Sequence, residues 1–391
     1  MRPNPNLIPR FNVDYNFEDF IYSIKSIFSN QNPNIKTLES IFGKKNFFFT
    51  NSGRSALYIL LKAMSLPKDS EVGVPLYSCP VVWEAIVRAG YKPKFIDIDP
   101  YTYTMDIKDL EQKVKKLRAL VVIHTFGHPA DMDEIMRIAN GIPIIEDCAH
   151  SLLSEYKNKK TGLFGDASIF TFGNGKYISA GGGGMILVNK NELIEKIRED
   201  MDSLIAPTLL QDTLNSIKSY VHSFLYHRPW FGGIALPFGS LLDKNNISGK
   251  TNFKVAKIGK GNMAVFLKKL VVFEEHVKKQ RENSEVLIRD LSMTNMKLFY
   301  QRGSVYCTYF LFPIRFPNKE RRDDACELFR IKGIDSAKYW ETYPIAKLAY
   351  EYKGDCPNTE QVAKTLATIA NYYTLSNKDL SKIINVCRSL A

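Results

Sequence analysis

A chain of 391 residues, 45% hydrophobic and 24% charged, can bury one large core and a smaller one, and it is neither disordered nor collagenous in composition. The net charge of +12 favours an anionic partner at long range. The basic residues are scattered without a helix-turn-helix, zinc-finger or RNA-reading pattern, so nucleic acid is not expected as a partner and no metal site is expected.

The first periodic element is RSALYILLKAM, which sets Leu57, Leu60, Leu61 and Met64 at helical spacing with Pro67 just beyond, and so predicts a helix. EVGVP and KFIDID read as strands on either side of a helix over PVVWEAIVRAG. ALVVIHT is a strand, DMDEIMRIAN a helix, PIIEDC a strand, and SIFTF and GMILVN two more strands. Such alternation predicts an α/β fold, a mostly parallel sheet with helices on both faces and functional groups at the strand ends. Three clusters fall at such ends: Asn51 to Ser55, Glu146 to His150, and Thr171 to Lys176.

The pattern changes after Met201. Residues from about 204 to 242 form an apolar insertion whose aromatics (Tyr220, Phe224, Tyr226, Trp230, Phe231, Phe238) keep no strict helical spacing. Pro229, Gly232, Gly233 and Pro237 would interrupt any long helix there. NMAVFLKKLVVFEEHVKKQRENSEVLIRDL reads as one long amphipathic helix, and VYCTYFLFPIRF as a strand opening a small C-terminal domain. The expected division is a large domain over 1–250 and a long helix with the smaller α/β domain over 251–391. The six cysteines form no CxxC pair, no apolar run has spanning length, and the first twenty residues lack a signal-peptide core, so a cytoplasmic location is expected.

Ser52-Gly53-Arg54-Ser55 opens a helix, where backbone N–H groups and the helix dipole favour a phosphate; an ordinary N-cap with a solvated arginine reads the same way. Asp147 at the end of PIIEDCAH suits a protonated ring nitrogen, with His150 in reach of another edge; a helix-capping aspartate with a structural histidine is the other reading. Lys176 follows a strand and precedes four glycines, suiting a Schiff-base amine that also shuttles protons, or else a surface lysine in a flexible loop. Three such elements in this order rarely coincide by chance.

Taken together, NSGRSAL, KFIDIDPYTYTMD, GHPADMDEI, IEDCAH, FGDASIFTFGNGK and SAGGGGMI resemble the successive motifs of the DegT/DnrJ/EryC1/StrS sugar aminotransferases. The likeness continues through YFLFPIRF, GIDSAKYW and CPNTEQVAKT, and so covers nearly the whole chain. The resemblance implies pyridoxal 5'-phosphate (PLP)-dependent transferase fold type I. It implies that Lys176 is the Schiff-base lysine and that Asp147 pairs with the pyridine nitrogen. It also implies that His150, in place of the usual Gln, contacts the phenolic oxygen, and that Thr171, in place of Ser, binds the phosphate with Ser52, Gly53 and Arg54. Related sugar dehydratases carry His instead of the lysine, so Lys176 favours transamination.

Where the family places an aromatic over the ring, this chain has Cys79, with Tyr77 close by as a candidate cofactor contact. The family's GYNYR-like segment, which reaches the phosphate from a neighbouring subunit, corresponds to KVAKIGKGNMA, where Lys257, Lys260 and Asn262 are the residues able to substitute. The implied activity moves an amino group from an amino-acid donor, glutamate by resemblance, to a nucleotide-activated keto-sugar in a homodimer. A membrane-surface enzyme on a lipid-linked sugar, making peripheral membrane contact, and a non-catalytic homologue are the alternatives.

Overall fold

The computed structural model describes residues 3–31, 33–44, 46–238 and 252–390. Its centre is a seven-stranded sheet of β1 (Phe47–Thr50), β2 (Glu71–Pro75), β3 (Lys92–Ile96), β4 (Leu117–Ile123), β5 (Ile144–Asp147), β8 (Ala167–Thr171) and β9 (Gly184–Val188), in the order β1-β9-β8-β5-β4-β2-β3. The neighbours from β8 to β3 are parallel, and β9 alone runs against both of its neighbours. The predicted strands are present, and β1 is added to them. Its FFFT run was not recognised because periodicity over four residues distinguishes nothing.

Alternation within each strand sorts the two faces. Ala119, Val121 and Ile123 of β4 pack with Val74, Ile145 and Ile169 under the helices Gly53–Ala63 and Pro80–Arg88, while Leu120 and Val122 face Ile135 and Leu110 on the other side. The helix Gly53–Ala63 buries Leu57, Leu60 and Leu61 almost completely, each worth about 1.5–3 kcal/mol, which outweighs the cost of nucleating so short a helix. Ser52 caps it, its hydroxyl accepting from Ser55 N–H.

The helix predicted over 262–291 is two helices, Lys260–Leu270 and Phe273–Leu291, broken at Val271–Val272. The first buries Phe266 and Leu270 against the large sheet's outer layer; the second carries Leu287 and Leu291 into a separate core with Phe312, Ile314 and Ile369. A single straight helix cannot serve both cores. Likewise VYCTYFLFPIRF is not one strand but β11 (Val305–Tyr306) and β12 (Phe312–Arg315), separated where Tyr309 turns to φ +52°. β12 lies between β10 (Lys297–Leu298) and β13 (Leu366–Ile369) in an antiparallel sheet covered by the helices Lys319–Ile331 and Asn377–Arg388. β11 instead pairs with β6 (Glu155–Tyr156), which pairs with β7 (Lys159–Lys160), joining the C-terminal half to the large domain.

Within the apolar insertion, Leu209–Leu225 is a helix of 17 residues, opened by a capping box of Thr208 and Gln211. It stops short of Pro229, as the sequence requires, and Phe231–Ala235 form a wide π-type turn. Spacing of the aromatics alone hid this helix, because aliphatic and serine positions carry its periodicity. Residues 239–242 of the insertion lie outside the described residues. Two short N-terminal helices, Phe17–Ile27 and Lys36–Phe42, were also not predicted.

Candidate active site

At the carboxyl ends of β4, β5 and β8 a cavity of about 630 Å³, counting its mouth, opens on the face shared with the helix Gly53–Ala63. The sheet register sets Ile123, Asp147 and Ile169 side by side, so one carboxylate stands between two aliphatic walls. Gly53, Arg54, Cys79, Ala149, His150, Thr171, Lys176 and Trp340 complete the part of the lining that bears on chemistry. The sequence-predicted residues Lys176, Asp147, His150, Thr171, Gly53 and Arg54 are therefore brought together.

Asp147 is 5% exposed and accepts one hydrogen bond, from Ala149 N–H at 3.0 Å. Burial raises its pKa, while that N–H and the nearby Lys176 ammonium hold it down in part. Burial lowers the pKa of Lys176, with the negative charge of Asp147 acting the other way. The amine Nζ lies 5.4 Å from the centre of the Phe310 ring. An amine biased towards neutrality is a nucleophile and a base, and an acid with spare lone pairs is a seat for a cation.

The His150 ring is clamped between Phe310, 4.3 Å away and nearly parallel, and Trp340 at 5.1 Å. Its Nε2 meets the Tyr339 hydroxyl at 3.4 Å, and its buried Nδ1 has no protein partner. Burial drives its pKa well below the usual histidine value, so the ring is neutral and offers one hydrogen-bonding position to whatever enters the cavity.

Thr171 ends β8 with its hydroxyl 3.3 Å from Gly183 O, opposite the first turn of the helix Gly53–Ala63. That approach needs glycine: a Cβ on Gly53 would lie 2.9 Å from the Thr171 Cβ. Arg54 reaches the lining, yet its guanidinium pairs with Glu84 and lies 4.4 Å over the Phe253 ring, so its charge is largely compensated. Ser52 stays one layer back as the helix cap, bonded to Ser55.

Tyr77 does not line the cavity. Fully buried, it donates to Tyr339 O at 3.1 Å and packs edge-on to Trp340 at 5.4 Å, supporting the wall from behind. Trp340, within GIDSAKYW, does line it; its left-handed φ of +53°, which aims the indole, leaves no signal in the sequence. Cys79 lies in the lining, its thiol pushed up by burial and so neutral. The side chains of Lys260 and Asn262 are engaged within their own chain, with Ser29 O and Gly182 O respectively, while Lys257 forms a backbone β-bridge to Thr50.

Behind Asp147, His124 Nδ1 accepts from Ala130 N–H, which fixes Nε2–H as donor to Glu146 at 3.0 Å. Glu146 also accepts from the N–H groups of Gly162, Phe164 and Gly165. These two residues lie close to Cys148 in a grouping of metal-ligand type, but their donors and acceptors are spent on positioning the strand end.

The profile of the DegT/DnrJ/EryC1/StrS aminotransferase family matches residues 28–388. The chain belongs to that family. GDP-perosamine synthase of Escherichia coli O157:H7 is 36% identical over 169 residues, 41% of this chain and 46% of that protein. The chain spans about half the length of the curated relatives it matches. Among solved structures, Helicobacter pylori PseC, an aminotransferase of pseudoaminic acid biosynthesis, superposes with a TM-score of 0.79 at 18% identity, covering 98% of this chain and 99% of that one. The putative sugar aminotransferase Spr1654 of Streptococcus pneumoniae, in its PLP form, gives 0.78 at 17% identity, covering 98% and 100%. The fold is that of the PLP-dependent fold type I transferases.

DegT/DnrJ/EryC1/StrS proteins take PLP, and the cavity residues fit it. The fit rests on the unpaired His150 Nδ1, the Asp147 carboxylate with acceptor capacity to spare, and the helix N-terminus facing Thr171.

Proposed function

We propose that this protein is a PLP-dependent aminotransferase that moves an amino group from an amino acid, glutamate in our reading, to the keto group of a nucleotide-activated deoxy-sugar for glycoconjugate or polysaccharide biosynthesis. The observation that carries the proposal is the convergence of a half-buried amine, a buried acid and an unpaired imidazole nitrogen on one cavity, from Lys176, Asp147 and His150. Bound PLP supplies the electron sink for the negative charge left when a proton leaves the donor's Cα.

The chain's own residues do the rest. Lys176 Nζ would hold the cofactor, and as a free amine it would act as the base that takes a proton from the donor's Cα in one half-reaction and as the acid that delivers a proton to the carbon being aminated in the other. Asp147 keeps a proton on the pyridine nitrogen through a charge-assisted hydrogen bond. The neutral His150 donates from Nδ1 to the phenolic oxygen, its tautomer set when Tyr339 donates to Nε2. Thr171, Gly53 and the peptide of Arg54 hold the phosphate at the positive end of the helix. With the Arg54 charge compensated by Glu84, the phosphate end has room for a cation from a partner subunit, in keeping with a homodimer. The likeness to the GDP-perosamine synthase of E. coli supports a nucleotide-linked sugar as acceptor.

The test is to incubate the PLP-loaded protein with glutamate and a panel of 3-keto- and 4-keto-nucleotide sugars, reading the product by mass spectrometry. An amino-sugar with nitrogen from labelled glutamate is the expected result; an unchanged panel under full cofactor occupancy contradicts the reading.

A further inference from the structure

The helix Leu209–Leu225 is amphipathic in the wrong sense for a self-contained fold. Its inward stripe is Asp212, Ser216, Ser219 and Ser223, all buried, while Leu210, Leu214, Ile217, Val221 and Phe224 face out with between 41% and 69% of their surface exposed. The outward spacing of four, three, four and three residues is one continuous helical face. Trp230, 5.5 Å from Phe224, extends it, and the helix Phe17–Ile27 continues it sideways through Phe17, 59% exposed and 5.9 Å from Tyr220. None of the residues 204–238 lines the cavity, so substrate does not cover them.

Charge selects the occupant. From Leu204 to Phe238 the sequence has a single carboxylate, Asp212, which is 3% exposed and accepts from Gly261 N–H. The same stretch carries the cations Lys218 and Arg228, with Lys25 and Lys260 exposed on the adjoining helices; burial holds His222 neutral, Arg228 is paired with Asp379, and Glu18 is the exposed acid of the neighbouring helix. A second copy docked through this stripe would set basic flank against basic flank with little to pair them, whereas an anionic bilayer supplies the missing negative charge and a solvent for the apolar stripe. An aromatic girdle of Trp230 and Tyr22 suits the headgroup boundary.

We propose that this face lies on an anionic lipid surface, with the helix Leu209–Leu225 in the plane of the headgroups, as a peripheral contact and not a span. Among the described residues no helix is long and apolar enough to cross a membrane.

The test uses the full chain in co-sedimentation with vesicles of phosphatidylcholine alone and of phosphatidylcholine with one quarter phosphatidylglycerol, at low and physiological salt. The chain should pellet with the anionic vesicles, less so as salt rises. Combined Ile217→Ser, Val221→Ser and Phe224→Ser should weaken partitioning at least about tenfold, and Lys218→Glu roughly fivefold at low salt. Circular dichroism melting and the lipid-free mass in sedimentation velocity should stay unchanged in both variants. Absence of binding by the unmodified chain, or undiminished binding by the triple variant, overturns the proposal. So does a smaller lipid-free particle in the triple variant, since that would make the stripe a contact between copies.

Discussion

At the ends of β4, β5 and β8, polar groups are buried with hydrogen-bonding capacity left over and face a cavity, whereas along Leu209–Leu225 the buried stripe is three serines with their hydroxyls paired, plus Asp212 with one oxygen unpaired, and the apolar side chains stand in water. Ser216 bonds Ser23 at 2.7 Å and the Asp212 carbonyl, Ser219 bonds the Asn215 carbonyl at 2.7 Å, and Ser223 accepts from Tyr15 N–H at 3.1 Å. In the cavity, His150 Nδ1 has no partner and Asp147 has one. An unpaired buried polar group costs about 1–3 kcal/mol, and a half-exposed leucine forgoes a similar amount of burial, so neither arrangement serves stability. Each marks a place where the fold is completed from outside: one by a polar, partly cationic ligand, the other by an apolar surface.

The sharpest way to break the comparison is Lys176→Ala. It should lower amino-sugar formation by at least roughly 10²–10⁴-fold, because a general base is lost, while melting temperature stays close to that of the unmodified chain. Steady-state rates with circular dichroism check both. Retained activity, with borohydride still fixing the cofactor to the protein, would remove Lys176 from the site.

Asp147→Asn replaces a charge-assisted bond by a neutral one and should cost about 1.5–3 kcal/mol of transition-state stabilisation, a fall of roughly 10–150-fold in kcat/KM. The PLP absorbance should remain. Unchanged kinetics would leave the acid a structural group, and the contrast with the serine stripe would lose its meaning.

On the other side, Gly261→Ala probes how tightly the inward stripe is packed. An added Cβ would fall 2.2 Å from the Ser23 hydroxyl and 3.0 Å from that of Ser216, so the three helices must separate. A loss of about 1–3 kcal/mol in urea unfolding is expected, with kcat unchanged in the folded enzyme. Full stability would show that the stripe is loose.

The last effect is in acid and leaves activity at neutral pH untouched. Burial depresses His128 to about 4, with Arg302 N–H donating to its Nε2 and its Nδ1 against Pro129 O. The unfolded chain takes up that proton near the ordinary histidine value of about 6.5, before the folded chain does. Stability therefore falls as pH drops from about 6.5 towards 4, by about 1.4 kcal/mol per pH unit for this group, and levels off below. His150 acts in the same direction. Urea titrations at pH 7, 6 and 5 should show a slope shallower by one proton in His128→Gln; an equal slope would deny that His128 is neutral in the folded chain.

The sequence by itself determined the alternation of strands and helices from Arg54 to Val188, and with it the parallel sheet, because strands buried on both faces read as short apolar runs. It also placed Lys176, Asp147, His150 and Thr171 at strand ends, where chain order fixes position. Only the tertiary structure decided what stands against them. Trp340 arrives from 164 residues beyond Lys176 through a left-handed turn, Tyr77 is drawn behind the wall, and the Arg54 charge is spent on Glu84. The break at Val271–Val272 and the inverted helix Leu209–Leu225 share that origin. Local periodicity records which side chains share a face, but which face is turned to the core is settled by packing partners far away in the chain, here Ser23, Gly181, Gly259 and Gly261.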